Sequence, residues 1–242
     1  NQHILRRWAI ADSITGQVYP SGYGPTSQDV LIPAFLAAYT GNSPQKYINS
    51  KFPRIPLPNW RLTYNGLTEI PSVKKRFKSA TISHAYRCTY NIGGYSSNVL
   101  FSDADADGYS LVKDALGNYL PKYEIAQVSI TEQFSPLMNI DLTWKNSLIS
   151  KIEYKKSRNL AVSFANNQMT EIISGEITLG LGYRFKNVEF EAAGKTFKSD
   201  LSLKADFSIR NNKTVLRKIV ENVDQISAGQ KVISINLSAE YM

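Results

Sequence analysis

The segment Asp103-Ala104-Asp105-Ala106-Asp107-Gly108 carries carboxylates at alternate positions followed by glycine, the D-x-D-x-D-G opening of a calcium loop. Three hard oxygen donors at that spacing can converge on one cation, with the glycine making the sharp turn. Asp114 stands where such a loop supplies its bidentate acid. Aspartate is shorter than the usual glutamate, however, and no flanking helix is expected. An acidic, solvated loop at a hairpin tip accounts for the same residues, so no metal ligand is assigned. The two histidines are His3 and His84. His84 shares its alternation with apolar neighbours, the pattern of a packed or interfacial ring and not of a general base. The single Cys88 excludes an internal disulfide and a thiolate metal cluster. G-x-S-x-G, H-E-x-x-H and C-x-x-C are all absent from the sequence. Leu179-Gly180-Leu181-Gly182-Tyr183 resembles part of a phosphate loop, but no Gly-rich turn leads into a helix. Glycines on one face of a strand relieve crowding or allow a bend. No catalytic or cofactor-binding residue is assigned, no cofactor is expected, and the chain is not expected to be an enzyme.

The elements that would hold such residues are strands. From residue 79 the hydrophobic period is two. Ile82, His84, Tyr86, Cys88, Tyr90 and Ile92 share one face, with Ser83, Ala85, Arg87, Thr89 and Asn91 on the other. The same alternation recurs at Ala126, Val128 and Ile130, at Met138, Ile140, Leu142 and Trp144, and at Leu160, Val162 and Phe164. It recurs again over 177–185, 201–209 and 233–241. Lys145, Arg184, Lys204 and Asp206 fall on faces opposite apolar ones, and Asn146, Asn166-Asn167, Gly194 and Asn211-Asn212 are placed as turns. Residues 1–78 differ. Residues 29–39 predict a short buried helix, capped by Thr26 or Ser27 and ended by Gly41, with Pro33 weakening any longer helix. Residues 52–60 (FPRIPLPNW) predict extended, polyproline-like chain. Residues 61–64 predict a brief strand, Asn65-Gly66 a turn and 71–78 a short helix.

Composition limits the setting. The 242 residues are 43% hydrophobic and 20% charged, which argues against disorder. No apolar run reaches the roughly 18 residues a membrane-spanning helix needs, but strands of a barrel dilute their hydropathy with residues facing a polar lumen. There are 14 Tyr against 10 Phe, and tyrosine suits a membrane–water boundary as well as an ordinary strand. The net charge of +8 is spread along the chain, so nucleic acid is not expected as a partner. The densest run, Lys74-Lys75-Arg76, reads as a solvated face. The chain starts without a signal peptide and stops within an alternating run, which predicts a fragment of a longer protein. The expected fold is therefore all-β: an antiparallel transmembrane β-barrel segment over 79–242, part of a very large barrel. A helical, Pro-rich insertion and connection is expected over 1–78. A soluble antiparallel sandwich would show the same one-sided pattern.

Residues 52–67 (FPRIPLPNWRLTYNGL) resemble the SprA/Sov family, the outer-membrane translocon of the type 9 secretion system of Gram-negative gliding and oral bacteria. Residues 26–41 (TSQDVLIPAFLAAYTG), 83–91 (SHAYRCTYN), 130–137 (ITEQFSPL), 153–160 (EYKKSRNL) and 170–185, around 177–185 (ITLGLGYRF), agree in order with the C-terminal part of that family. The resemblance implies a very large single-chain barrel that passes folded cargo with a C-terminal signal domain from periplasm to cell surface. It also implies as partners the remainder of the same barrel, a PorV-type shuttle barrel, a periplasmic plug protein and outer-membrane lipid. It implies no enzymatic activity. An ordinary porin or receptor barrel and a soluble β-rich surface or adhesion domain are the competing classes.

Overall fold

The computed structural model describes residues 22–24, 26–42, 59–104, 106, 110–192, 195–219, 221 and 223–241. His3, the Pro-rich residues 52–58, Asp105, Asp107, Gly194 and Met242 lie outside them. The described chain is all-β apart from short helices. Helix α1 spans Gln28–Thr40. Strand β1 (Trp60–Tyr64) leads through a 3-10 turn (Gly66–Glu69) into helix α2 (Pro71–Arg76). Then follow β2 (Phe77–Ile92), the short β3 (Tyr95–Ser97) and β4 (Tyr123–Ile125), and β5 (Gln127–Trp144). Finally come β6 (Leu148–Ser163), β7 (Gln168–Ala192), β8 (Lys195–Lys218) and β9 (Val223–Tyr241).

Seven strands form one sheet in the order β1-β2-β5-β6-β7-β8-β9, antiparallel at every pair; β3 and β4 form a separate two-stranded ribbon. Apart from the β3–β4 excursion between β2 and β5, each strand pairs with its neighbour in sequence, so the order follows from local connections. The link from Trp144 to Leu148 is Lys145-Asn146-Ser147, where Ser147 takes a left-handed φ of 71° and Asn146 Oδ1 accepts the Leu148 N–H at 3.2 Å. Asn167 takes φ 50° at the β6–β7 turn. Asparagine and serine tolerate or cap such turns, and strands of this length follow.

The structure corrects several sequence expectations. The runs at 126–130 and 138–144 are one strand, β5, interrupted by a register shift between Phe134 and Met138. Pro136 sits in that shift, where no ladder N–H is needed. Asn211-Asn212 is no turn: both lie inside β8, and Asn212 Oδ1 accepts the Ser174 hydroxyl at 2.7 Å. Side-chain pairing across β7 has replaced local turn formation. Lys145 belongs to the turn after β5, not to a strand face. Ser27 occupies the N-cap of α1 without a side-chain cap bond, and Gly41 ends the helix at φ 69° with its N–H on the Ala37 carbonyl, as expected. Strands also begin before residue 79, since β1 joins the sheet and β2 starts at Phe77.

The buried core sits at one end of the sheet. There α1 places Ile32, Phe35, Leu36 and Ala37 against Cys88 of β2, Val128 and Ile130 of β5, and Leu160 and Val162 of β6. Burying each large apolar side chain there stabilises by about 1.5–3 kcal/mol. Gln28 fixes the start of the helix: its Nε2 donates to the Tyr123 carbonyl at 2.5 Å and its Oε1 accepts the Ile125 N–H at 3.0 Å. The side-chain amide therefore pairs with β4 as a further strand would.

Candidate functional site

Register puts like residues in rows. Tyr64, Ile82, Ile140, Ile152, Leu179, Phe207 and Ile235 stand opposite one another across all seven strands. The rows beside it continue the face with Met138, Tyr154, Ile177, Ile209 and Ile233, and with Leu142, Leu181, Ala205 and Leu237. On the other face the matching row is Thr63, Ser83, Asn139, Glu153, Thr178, Ser208 and Ser234, all polar. Alternation along each strand and antiparallel register across strands sort this stretch of the sheet into one apolar and one polar face.

The polarity is inverted relative to a water-soluble sheet. Leu181 is 62% exposed and Leu237 78%, whereas Ser202 on the polar face is 1% exposed. The carboxylate side chain of Glu153 is 12% exposed. Over this stretch the apolar side chains are therefore the more exposed of the two sets. Five successive outward positions on β7, Ile177 to Phe185, cover about 27 Å of strand, and seven strands span about 29 Å. The bare apolar area is thus roughly 800 Å², larger than the roughly 300–600 Å² that soluble monomers expose in one patch. Among the described residues nothing covers it. Ala205 and Ala239, set among Leu181, Tyr183, Leu203 and Leu237, leave a shallow groove of about 530 Å³ in it.

Aromatic rings edge this area. Trp60, Tyr86 and Phe134 are direct cross-strand neighbours, with centroids 4.6 Å apart for Trp60–Tyr86 and 4.7 Å for Tyr86–Phe134. Toward the other end lie Phe77 against Trp144 at 4.3 Å, Tyr183 against Phe185 at 4.8 Å, and Tyr241. His84 lies in the first group, near Trp60 and Phe134. Its Nδ1 donates to the Leu137 carbonyl at 2.6 Å, so the ring satisfies an acceptor in the irregular stretch of β5. This is the packed histidine expected from the sequence.

The polar face is cross-linked by its own side chains. Glu153 accepts from Lys151 and Lys155 at 3.1 Å each, and Glu176 from Arg210 at 2.6 Å. Asn139 donates to Asp141 at 2.5 Å, and Asn159 to Thr131 at 2.6 Å. Gly180 makes room here: a Cβ on it would meet Asp206 Oδ1 at 2.4 Å and Lys151 Cβ at 3.2 Å. Relief of crowding is therefore the role of this glycine, and no phosphate loop forms.

Beyond the aromatic edge, on the apolar face, a polar belt separates the bare area from α1. Glu132 Oε1 accepts the hydroxyls of Tyr39 and Tyr86, each at 2.9 Å, and Tyr39 also contacts Cys88 Sγ at 3.1 Å. Burial pushes the Tyr39 phenol well above its ordinary range, so it serves as a neutral donor. Glu171 is bound by Arg158 and Arg217, each at 2.7 Å, and Arg217 continues to Asp224. No local pattern signals this belt, since Tyr39 and Glu132 are 93 positions apart.

Of the acidic loop, Asp103 and Asp114 are described. Asp114 Oδ1 accepts the N–H groups of Leu116 and Asn118 at 2.8 Å, and its Oδ2 accepts from Asn118 Nδ2 at 3.3 Å. Its carboxylate thus closes its own turn. Lys74, Lys75 and Arg76 end α2 exposed.

Neither a family model nor a functionally characterised protein matches this chain.

Proposed function

We propose that this sheet is part of the wall of a transmembrane β-barrel in the outer membrane of a Gram-negative bacterium. Its apolar face meets lipid and its polar face meets a water-filled lumen. The observation that carries this reading is the seven-residue apolar row from Tyr64 to Ile235, bare among the described residues and backed by an all-polar row on the opposite face. Barrel walls combine an outward apolar band about 25 Å tall, aromatic girdles at both margins and a polar interior. A soluble sandwich would need a second layer over the same face. The resemblance to the SprA/Sov family extends the proposal to the protein-conducting channel of the type 9 secretion system, which passes folded cargo to the cell surface. A lumen wide enough for folded cargo requires many strands, because barrel diameter grows with strand number.

The test uses single cysteines at Leu181 and Leu237 on one face, and at Thr178 and Ser234 on the other, in the full chain within outer membranes. Fluorophores at the first pair should be quenched by brominated acyl chains; the second pair should react with a water-soluble thiol reagent. Equal reactivity of all four sites would sink the barrel reading and favour a soluble β-rich domain. For the translocon reading, a photo-crosslinker at Thr178 or Asp206 should capture cargo bearing the C-terminal signal domain in secreting cells. Flux of small solutes with no captured cargo would point to an ordinary porin or receptor barrel instead.

A further inference from the structure

The cross-strand row that begins with Trp60, Tyr86 and Phe134 continues through Lys156, Gly175, Asn211 and Lys231. The next row away from the bare apolar area carries Arg158, Ile173, Lys213 and Gly229. Half of the margin is therefore aromatic and half is cationic. Lys156, Lys213 and Lys231 are exposed and make no ion pair among the described residues. The acids on this face are already engaged: Glu132 by two tyrosines, Glu171 by two arginines and Asp224 by Arg217. Gly175 and Gly229 leave the surface between the lysines low, since a Cβ on either would meet nothing closer than 3.6 Å. Lys156 and Lys231 lie three strand spacings apart, about 14 Å.

We propose that this cationic half-margin binds the phosphates of a bisphosphorylated glycolipid in the outer leaflet. The inference rests on the reading of the bare face as lipid-facing. The longest link, 93–126, lies at this end, whereas the two shortest, 145–147 and 193–194, lie at the other together with 65–76. Short turns of outer-membrane barrels lie on the periplasmic side, so this end faces the cell exterior. Lysines at head-group depth contribute about 1 kcal/mol each toward anionic lipid, and a span of about 14 Å engages two phosphates more readily than one.

The experiment reconstitutes the full chain in nanodiscs doped with lipid A, with enzymatically dephosphorylated lipid A, or with phosphatidylglycerol, and counts retained lipid by native mass spectrometry. Lipid A should be retained at least about tenfold over both others. The triple variant Lys156→Gln/Lys213→Gln/Lys231→Gln should abolish that preference, and Lys151→Gln/Lys155→Gln on the opposite face should keep it. Equal retention of the dephosphorylated form, or undiminished preference in the triple variant, overturns the proposal. Preference for phosphatidylglycerol overturns the glycolipid assignment as well. Brominated-lipid quenching at Leu181, measured in the same discs, separates the two layers of the argument. Quenching without lipid A preference rejects only the binding site, whereas absent quenching rejects the lipid-facing reading beneath it.

Discussion

Gln28 shows how one side chain can decide where a helix docks. Both ends of its amide are engaged by the backbone of β4, at Tyr123 and Ile125, in a buried setting. Removing the amide leaves a carbonyl and an N–H without partners, at about 1–3 kcal/mol each. Gln28→Ala should therefore lower hydrogen-exchange protection of the Ile125 amide by about tenfold or more, with the amides of β7 and β8 unchanged. Unchanged protection at Ile125 would mean the contact contributes little. At this scale the sequence was only partly legible. The packing of His84 and the crowding at Gly180 were readable, because each depends on residues of known face in a regular strand. The Tyr39–Glu132–Tyr86 contact was not, because it depends on how a helix lies across three strands. The cation half-margin was hidden for the same reason. Lys156, Lys213 and Lys231 become neighbours only through register.

Among elements, α1 is expected to unfold separately from the long hairpins, because it joins the sheet through one cluster of side chains. Its contribution to the core rests on Leu36, fully buried, together with Ile32 and Phe35. Leu36→Ala should cost about 2–5 kcal/mol, released locally: limited proteolysis should cut within 28–40 while the long hairpins stay resistant. Uniform loss of resistance across β7–β9 would show instead that α1 and the sheet unfold as one. The strands with strict alternation, such as 177–185 and 233–241, were legible from their period alone. The first half of β6 was not, because Lys155 and Lys156 are adjacent and blur the alternation, although they point to opposite faces. Nor was the continuity of β5, since Pro136 and the register shift beside it look from sequence like a strand end. Local pattern stops being informative wherever a neighbouring strand, not the chain itself, repairs the ladder.

For the whole molecule, the two-faced sheet makes a prediction that no single strand could. Leu237 and Asn236 are adjacent on β9 but belong to opposite faces. Leu237→Lys should destabilise the assembled protein by about 2–4 kcal/mol in lipid, as a cation at the bilayer midplane does. Asn236→Lys should be close to neutral. Urea titration of the full chain in vesicles reads the difference, and equal effects would contradict the lipid-facing assignment. Helix α1 carries a consequence at this scale too. It is bolted to the same face as the bare apolar area, beyond the aromatic edge and the polar belt. On the lipid-facing reading proposed above, such a helix would act as a collar. The sheet would sink no deeper on that side than the collar permits, and a thicker or thinner membrane would be accommodated at the opposite margin, where β7 and β8 run on past Phe185 and Leu201.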